Sequence, residues 1–382
     1  MSEPIRKIKL KDGSVRYRVV VDVGDRPDGR RDQRTSTHRT RKDAREWLTQ
    51  TRSAVTSGAY VRPVKETLDE HLDSWLGSKR LAGKRPATML SYTDALRPVR
   101  ALLGTKPLQA VAPEDVEAVK AAMLDGTARQ IGTKGKPLSA RSVNLMLGTL
   151  RQALDQAVKR GKVIRNAAAL VDHAAGEARP GAAWSPVEVA DFKTAASRDR
   201  LHAAWLLTCC GLRRGEVLGL EWERDLDLAE STVTVTVSRT TVGGQIIEGP
   251  PKTRRGARTL PLDAAMLAAL RGLRRRQAEE RLAAGPAYDG TNGKVVVDEI
   301  GRPPRPEWYS DMFARIARQA GVPVIRLHDA RHTSVTIMRS LGIPAHVVAA
   351  WHGHDEAVMA RVYTHAYLDE MRDAAQRLTS NS

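Results

Sequence analysis

Two histidines, an arginine and a tyrosine lie close together near the C-terminus, within 36 of the 382 residues of the chain. The stretch contains His328, Arg331 and His354, and it ends at Tyr363. A phosphodiester can be broken without a metal by a nucleophile, positive charge for the phosphate oxygens and a proton for the leaving oxygen. Tyrosine can attack phosphorus and hold the phosphate covalently, arginine binds phosphate through a planar fork, and histidine transfers protons near neutral pH. These residue types therefore suit chemistry on a phosphodiester.

The spacing within this stretch leaves some roles open. His328 and Arg331 are three residues apart, so a helix would place them on one face, although such a pair by itself is more often an exposed helix pair. Tyr363 and Tyr367 are four residues apart and could both face the same way, so spacing alone does not choose a nucleophile. His332, next to the arginine, is interpreted as a packing histidine.

A glycine-flanked segment, CGLRRGEVLGL at 210–220, offers a second arginine, Arg213. Apolar helical sequence lies on both sides of it, and the glycines break the chain between the two. An arginine at such a break is well placed to be partly buried beside a carboxylate, and Glu216 could orient Arg213. The alternative interpretation is a surface turn with two basic residues.

Lys252 is singled out by composition. The chain has 16 lysines against 46 arginines, and after Lys193 only Lys252 and Lys294 are lysines. Three nearby arginines already supply attraction for phosphate, namely Arg254, Arg255 and Arg258. A lysine adds a proton that it can release, because neighbouring cations lower its pKa while arginine stays protonated. Lys252 is therefore a candidate general acid for a leaving 5′-oxygen, and the alternative is one tolerated lysine.

The charge of the chain indicates a polyanionic partner. Its formal net charge is +18, from 62 lysines and arginines against 44 aspartates and glutamates. Such a surplus favours nucleic acid, and the alternative is a drift toward basic composition. The sequence contains no run of 18 apolar residues, so no membrane-spanning helix is predicted. The N-terminus lacks the apolar core of a signal peptide.

The cysteines and paired histidines predict neither a disulfide nor a metal. Cys209 and Cys210 are adjacent and rarely bridge in that arrangement, so a reduced, cytoplasmic protein is predicted. His352 and His354 flank a glycine, but no third or fourth ligand follows at metal-site spacing. We therefore predict no metal.

Residues 1–60 are predicted to form a small basic unit. A strand is predicted over 14–23, a second over 34–37, and a helix over 41–57 that begins at a capping box on Thr40. The unit has 15 lysines and arginines against 8 acidic residues. A small basic sheet with one helix fits DNA-groove binding, and the alternative is a solvated charged face.

After a linker at 61–64, helical patterns continue to about residue 170. Helices are predicted over 68–79, 87–103, 113–123 and 140–160. Basic residues near one end of this module are predicted to contact DNA phosphates, and the alternative is a structural spacer. They are Lys134, Lys136, Arg141 and Arg151.

A linker over 171–183 precedes a third, α-rich segment that begins at Ser185, followed by proline and, at 188, glutamate. One strand is predicted over 231–239, with returning strands over 245–248 and 258–262. Helices are predicted over 263–283, 306–320, 328–341, 344–351, 355–365 and 366–378.

Five segments, in this order, resemble the signature boxes of the tyrosine recombinases, the phage integrase family. They are CGLRRGE around Arg213, PKTRRGARTLPL around Lys252, LHDARHT with His328 and Arg331, WHGH ending at His354, and VYTH around Tyr363. Any one box is weak, whereas five in order are specific. Tyr363 lies nine residues after His354, as in the family pattern, which favours it over Tyr367. Two mild departures are His352 in place of a usual leucine and Gly256 in place of a common serine.

The resemblance implies a multidomain, mainly α fold. Its parts would be a small sheet-plus-helix domain that binds arm-type DNA (1–60), an all-helical core-binding domain (65–172), and an α-rich catalytic domain with a small antiparallel sheet (184–382). The arm-like first part favours a lambda-like integrase.

The resemblance also implies roles for the site residues. Arg213 and Arg331 would clamp the scissile phosphate, Tyr363 would form a 3′-phosphotyrosine, and Lys252 would protonate the leaving oxygen. His328 would assist proton transfer, and His354 would bind a non-bridging oxygen. Arg254 and Arg255 would contact DNA. No cofactor would be needed.

The expected partners are core-type and arm-type attachment sites, three further copies of the chain in a tetramer on DNA, a DNA-bending host factor and an excisionase. The protein would act at the nucleoid of a bacterium, encoded by the host or a phage. A plasmid or chromosome-dimer resolvase is the alternative within the family, and a non-catalytic DNA-binding regulator is the alternative outside enzymes. Type IB topoisomerases share the chemistry, but the arm-like unit argues against them.

Overall fold

The computed structural model describes residues 4–25, 30–58, 60–128, 135–176, 182–251 and 253–354, without the side chains of Asp25 and Arg254. The chain splits into two compact units, Met1–Glu177 and Ala178–Ser382. The three-domain division and its boundaries stay a prediction.

The first unit begins with a three-stranded antiparallel sheet in the order β1-β2-β3. The strands are β1 (Ile5–Lys9), β2 (Val15–Asp25) and β3 (Arg31–His38), and helix α1 (Arg41–Thr56) follows. Val19 and Val21 alternate toward one face and pack on Ala44 and Leu48 of α1. Both predicted strands and the helix are confirmed. The sequence-based prediction missed β1, because its two isoleucines are three residues apart and give no period of two.

Four helices and a hydrophobic core complete the first unit. They are α2 (Leu68–Leu81), α3 (Pro86–Leu103), α4 (Pro113–Asp125) and α5 (Ala140–Lys159), each within two residues of its predicted bounds. The start of α2 is fixed by reciprocal hydrogen bonds: Glu70 N donates to Thr67 Oγ1 (3.3 Å), and Thr67 N donates to Glu70 Oε2 (2.7 Å). Trp75 and Leu150 are fully buried in the core that the helices enclose.

The second unit is mainly helical, with small antiparallel sheets. Its helices are α6 (Pro186–Ala196), α7 (His202–Cys209), α8 (Arg214–Gly219), α9 (Trp222–Asp225), α10 (Ala264–Ala284), α11 (Pro306–Gln319), α12 (Leu327–Ser340) and α13 (Ala345–His352). Its strands are β4 (Leu226–Asp227), β5 (Thr232–Val235), β6 (Ser238–Val242), β7 (Gln245–Gly249) and β8 (Arg258–Pro261). The predictions for α10 to α13 are confirmed, and the predicted helices 355–365 and 366–378 lie outside the described residues.

The single strand predicted over 231–239 is wrong. β5 joins β4 and β8 in one sheet, whereas β6 pairs with β7 in another. The chain leaves the first sheet at Thr236, whose hydroxyl donates to Asp225 Oδ1 at 2.5 Å. Just beyond, the carbonyl oxygen of Val237 lies 2.7 Å from where a Cβ on Gly219 would be, so α8 packs directly against the break. Tertiary contacts therefore override an alternating pattern that continues through the break.

The core of the second unit packs α7 against α11. Trp205 stacks on Tyr309 with ring centroids 4.2 Å apart, and both are fully buried. Trp184, just before α6, stacks on Phe313, and its backbone N donates to Thr333 Oγ1 of α12 at 3.0 Å. These contacts fix α12 against the core, and α12 carries two of the predicted site residues.

Candidate active site

Arg213 lies at the N-terminus of α8, where Glu216 binds it twice. Glu216 Oε1 accepts from Arg213 Nη1 at 2.6 Å, and Oε2 accepts from the backbone N of Arg213 at 2.9 Å. The carboxylate is 1 % exposed and the arginine side chain 35 % exposed. The predicted contact between the two side chains is therefore present, and the guanidinium is oriented while still reaching the surface.

Arg331 lies on α12 and faces inward, with only 2 % of the residue exposed. Its Nη1 donates to the carbonyl oxygen of Gly211 at 2.7 Å, and its Nη2 donates to the carbonyl oxygen of His352. Nη2 also lies 2.9 Å from His354 Nε2. Arg331 thus joins the turn before α8 to the end of α13.

The turn between α7 and α8 requires glycine at 211. Its φ is +90°, a conformation that residues with a side chain rarely adopt. A Cβ there would also lie 2.5 Å from Nε2 of His352. This close approach lets the Gly211 carbonyl reach the guanidinium of Arg331.

His352 is a buried structural histidine. Its Nδ1 lies 2.9 Å from the Val348 carbonyl oxygen, and its Nε2 lies 3.1 Å from Ser334 Oγ, linking α13 to α12. Burial, with the charge of Arg331, lowers the pKa of His352 to about 3. The residue that departs from the family pattern therefore supports the backbone carbonyl on which Arg331 rests.

The remaining histidines of the site share a lowered pKa. Loss of hydration and then the charge of Arg331 lower the pKa of His354 to about 4. Partial desolvation, followed by His332 and Arg331, lowers the pKa of His328, although its side chain is exposed. The rings of His328 and His332 are 5.1 Å apart on α12. Neutral histidines beside fixed cations can accept a proton during a reaction.

Arg258 is a site residue whose role the sequence did not indicate. We expected it to help attract phosphate beside Lys252, but its side chain is only 7 % exposed. Its guanidinium donates to both carboxylate oxygens of Glu216, at 3.2 and 3.0 Å, and to the carbonyl oxygens of Gly256 and Trp351. The guanidinium of Arg258 is therefore occupied by hydrogen bonds to acceptors within the protein. The one available signal was an alternating position on a predicted strand.

Several predicted site residues are described only in part or not at all. Lys252, Tyr363 and Lys134 lie outside the described residues, as does the competing Tyr367. The chain beside Lys252 is described: Pro251 and Gly256 are buried, and Arg255 is exposed.

The predicted DNA contacts of the helical module differ in their surroundings. Lys136 and Arg141 are exposed. Arg151 instead donates from Nε to the Ala168 carbonyl oxygen at 2.8 Å and from Nη2 to that of Val171. These bonds hold the chain that follows α5, and phosphate contact by Arg151 stays a prediction.

No described His, Cys, Asp or Glu side chains form a group of three that could hold a metal ion. Nor is any helix among the described residues long and apolar enough to cross a membrane. The predicted absence of metal stays a prediction.

Comparison with known proteins finds similarity to the phage integrases. The model of the phage integrase family matches residues 187–370. A tyrosine recombinase XerC-like protein of Caldanaerobacter subterraneus subsp. tengcongensis is 26 % identical over 390 residues, covering 97 % of each chain.

Two solved structures are similar to the chain in fold. The Tn1549 transposon integrase in complex with transposon right end DNA has a TM-score of 0.66 and 21 % identity, over 82 % of this chain and all of that one. A lambda integrase tetramer bound to a Holliday junction has a TM-score of 0.55 and 19 % identity, over 92 % of each chain. Residues 187–370 therefore match the phage integrase family, and the similarity to the XerC-like protein over nearly the whole chain supports a tyrosine recombinase. The chain is a site-specific DNA recombinase.

Proposed function

We propose that the chain is the integrase of a phage or other mobile element, and that it cuts and rejoins DNA through a 3′-phosphotyrosine intermediate. One observation carries the proposal. Arg331 binds the Gly211 carbonyl, two residues before Arg213, and at the same time lies 2.9 Å from His354. Two permanent cations and a neutral imidazole thus share one site, which suits a pentavalent phosphate.

Arg213 and Arg331 would bind the scissile phosphate in different ways. Arg213 reaches the surface from a fixed carboxylate and can meet phosphate directly. Arg331 is buried and braced by backbone carbonyls, so its charge is preorganised. Both would stabilise the charge that develops on the equatorial oxygens, and His354 would donate to one of them from Nδ1, the ring nitrogen that does not bind Arg331.

Proton transfer would fall to His328, Lys252 and the nucleophile. His328 is neutral near pH 7, because its pKa is lowered, and can accept the proton of the Tyr363 hydroxyl. Lys252 would give its proton to the leaving 5′-oxygen. Rejoining would run the same transfers in reverse.

The N-terminal sheet suits arm-type DNA. Arg6, Arg18 and Thr37 lie opposite one another across β1, β2 and β3, on the exposed face, while Val19 faces α1. We therefore propose residues 1–60 as the arm-binding domain, 65–172 as the core-binding domain with Lys136 and Arg141 on phosphates, and 184–382 as the catalytic domain.

Four protomers would assemble on two core sites and exchange strands through a Holliday junction. The lambda integrase tetramer bound to such a junction supports this assembly by similarity of fold. A DNA-bending host factor and an excisionase would set direction. The protein would act at the nucleoid in the cytoplasm.

Sequencing of DNA junctions tests the proposal. The chain would be expressed in cells that carry its neighbouring genome region, with a Tyr363→Phe variant as the inactive control. Junctions between the ends of one element and a separate chromosomal site are expected with the wild type alone. Crossovers only between identical sites of a multimeric replicon would support a resolvase instead, and no junctions would overturn both.

A further inference from the structure

We propose that Arg258 is a positioning residue that holds the loop bearing Lys252 against the phosphate-binding part of the active site. The inference rests on the proposed role of Lys252 as general acid. Arg258 itself touches neither DNA nor the reacting atoms in this assignment.

The contacts of Arg258 join three separate parts of the site. Its Nη1 and Nη2 bind the two oxygens of Glu216, the carboxylate that also orients Arg213. Its Nε donates to the Trp351 carbonyl oxygen at 2.6 Å, next to the His352 carbonyl that binds Arg331. One guanidinium therefore connects to the supports of both phosphate-binding arginines.

The third connection is to the loop. Nη1 of Arg258 donates to the Gly256 carbonyl oxygen at 2.9 Å, four residues after Lys252. The same loop lies directly on the end of α13, since a Cβ on Gly353 would be 2.6 Å from the Arg255 carbonyl oxygen. Pro251, before Lys252, is buried, and its Cβ lies 2.5 Å from where a Cβ on Gly256 would be. The described parts of the loop are thus closely fitted on both sides of the lysine.

The charge state of this cluster is fixed. Burial would raise the pKa of Glu216, but the bidentate hydrogen bond from Arg258 and the charges of Arg258 and Arg213 hold it below its ordinary value. The carboxylate is therefore ionised, and a buried cation beside it is stabilised rather than left unpaired. Removing the positive charge at 258 would leave the buried Glu216 carboxylate without this partner and would destabilise the fold. A test variant must therefore keep a positive charge at 258.

A lysine at 258 would keep the positive charge but would lack the planar guanidinium with its several donors. Its single nitrogen can pair with Glu216, but it cannot reach the carbonyl oxygens of Gly256 and Trp351 in three separate directions as a planar guanidinium does. Arg258→Lys therefore releases the loop while sparing the ion pair that supports Arg213.

The chemistry of the cleavage step separates the two effects. The Tyr363 oxygen forms a bond to phosphorus, the bond from phosphorus to the 5′-oxygen breaks, and that oxygen takes the proton of Lys252. A displaced loop leaves the oxygen without its proton. A 5′-bridging sulfur leaves as a thiolate, which needs little protonation because a thiol has a pKa of about 8.5.

The experiment compares single-turnover cleavage of oxygen-bridged and sulfur-bridged core-site DNA. Arg258→Lys should cleave the oxygen substrate about 10²-fold more slowly than wild type, the cost of a misplaced catalytic group. On the sulfur substrate the deficit should largely disappear. Gly256→Ala should behave in the same way, because its methyl group displaces the loop without changing any charge.

Two controls distinguish loop placement from general loosening. Arg200 pairs with both oxygens of Glu280 and binds the Val297 carbonyl, with 15 % of its side chain exposed. Arg200→Lys should lower the melting temperature without a difference between the substrates. Glu216→Gln should impair both substrates, because Arg213 is needed whatever the leaving group.

Failure of the inference and failure of the proposed function give different results. Lys252→Ala that is not rescued by sulfur would refute the general-acid role. If Lys252→Ala is rescued while folded Arg258→Lys and Gly256→Ala are slow on both substrates, or fast on both, the positioning role of Arg258 is overturned.

Discussion

Nη2 of Arg331 lies 2.9 Å from Nε2 of His354, and this contact fixes the protonation state of the ring. A guanidinium can only donate a hydrogen bond, so Nε2 must accept it and carry no proton. The proton of the neutral ring is then on Nδ1, which has no hydrogen-bond partner among the described residues. The positive charge at this point of the site is therefore that of the arginine alone.

Acid should destabilise the protein through the buried rings. The pKa of folded His352 is about 3 because of burial first, then Arg331, whereas the ring titrates near 6.5 when unfolded. Below pH 6.5 the unfolded chain thus binds more protons, and the free energy of unfolding falls, by up to about 1.4 kcal/mol per pH unit for this ring. Urea unfolding at pH 7 and pH 5 measures the effect.

A pair of variants assigns this pH dependence. His352→Leu should reduce the loss of stability between pH 7 and pH 5, because the ring that resists protonation is gone. His346→Asn removes an exposed histidine and should leave the dependence as it is. An identical dependence in wild type and His352→Leu would show that other groups cause the acid sensitivity.

Replacement of Arg213 should slow cleavage far more than replacement of its neighbour Arg214. Arg213→Lys should retain single-site DNA binding but lose about 10² to 10³-fold in cleavage rate, since it removes a preorganised contact to the transition state. Arg214 donates to Ser310 Oγ at 2.9 Å and to the Pro306 carbonyl. Arg214→Lys should therefore change cleavage far less. Equal losses in quenched-flow cleavage assays would remove Arg213 from the proposed clamp.

The sequence predicted the start of α6 and the helices α10 to α13 of the second unit, because their signals are local. Capping residues fix the start of α6, and periodic apolar residues fix α10 to α13. The spacing of His328 and Arg331 on a helix follows from the same periodicity. Where tertiary contacts decide, as at the break after Thr236, the alternating pattern misled the prediction.

The role of Arg258 lay beyond sequence-based prediction for a related reason. Arg255 and Arg258 are the same residue type in the same basic loop, yet one is exposed and the other is bonded to Glu216 inside the protein. Composition cannot separate them, because the carboxylate is 42 residues away in the chain. The choice of Tyr363 over Tyr367 came from the family resemblance, and it stays a prediction.

The nucleophile can be identified by covalent trapping. Tyr363→Phe should bind core-site DNA normally and form no protein–DNA adduct on a nicked substrate that prevents rejoining, because it lacks the attacking oxygen. Tyr367→Phe is the matched variant and should still form the adduct. Denaturing electrophoresis measures both. An adduct with Tyr363→Phe and none with Tyr367→Phe would reverse the assignment.

Residues 366–382 should matter for assembly. If this tail contacts a neighbouring protomer, its removal should weaken the complex on two core sites more than binding to a single site. Analytical ultracentrifugation with one-site and two-site DNA compares the two. Equal weakening of both complexes would argue against a contact between protomers.

The basic face of the N-terminal sheet should bind arm-type DNA without affecting cleavage. Arg6 and Arg18 pair across β1 and β2 on the exposed face. Replacing both with alanine should weaken arm-site binding and, if each meets a phosphate, reduce its salt dependence by about one unit per residue. Cleavage of core-site DNA should be unchanged. Arg45, exposed on α1 away from this face, is the matched control, since its removal leaves the sheet intact. Equal losses from Arg45→Ala would mean that net charge, rather than the face of the sheet, binds the DNA.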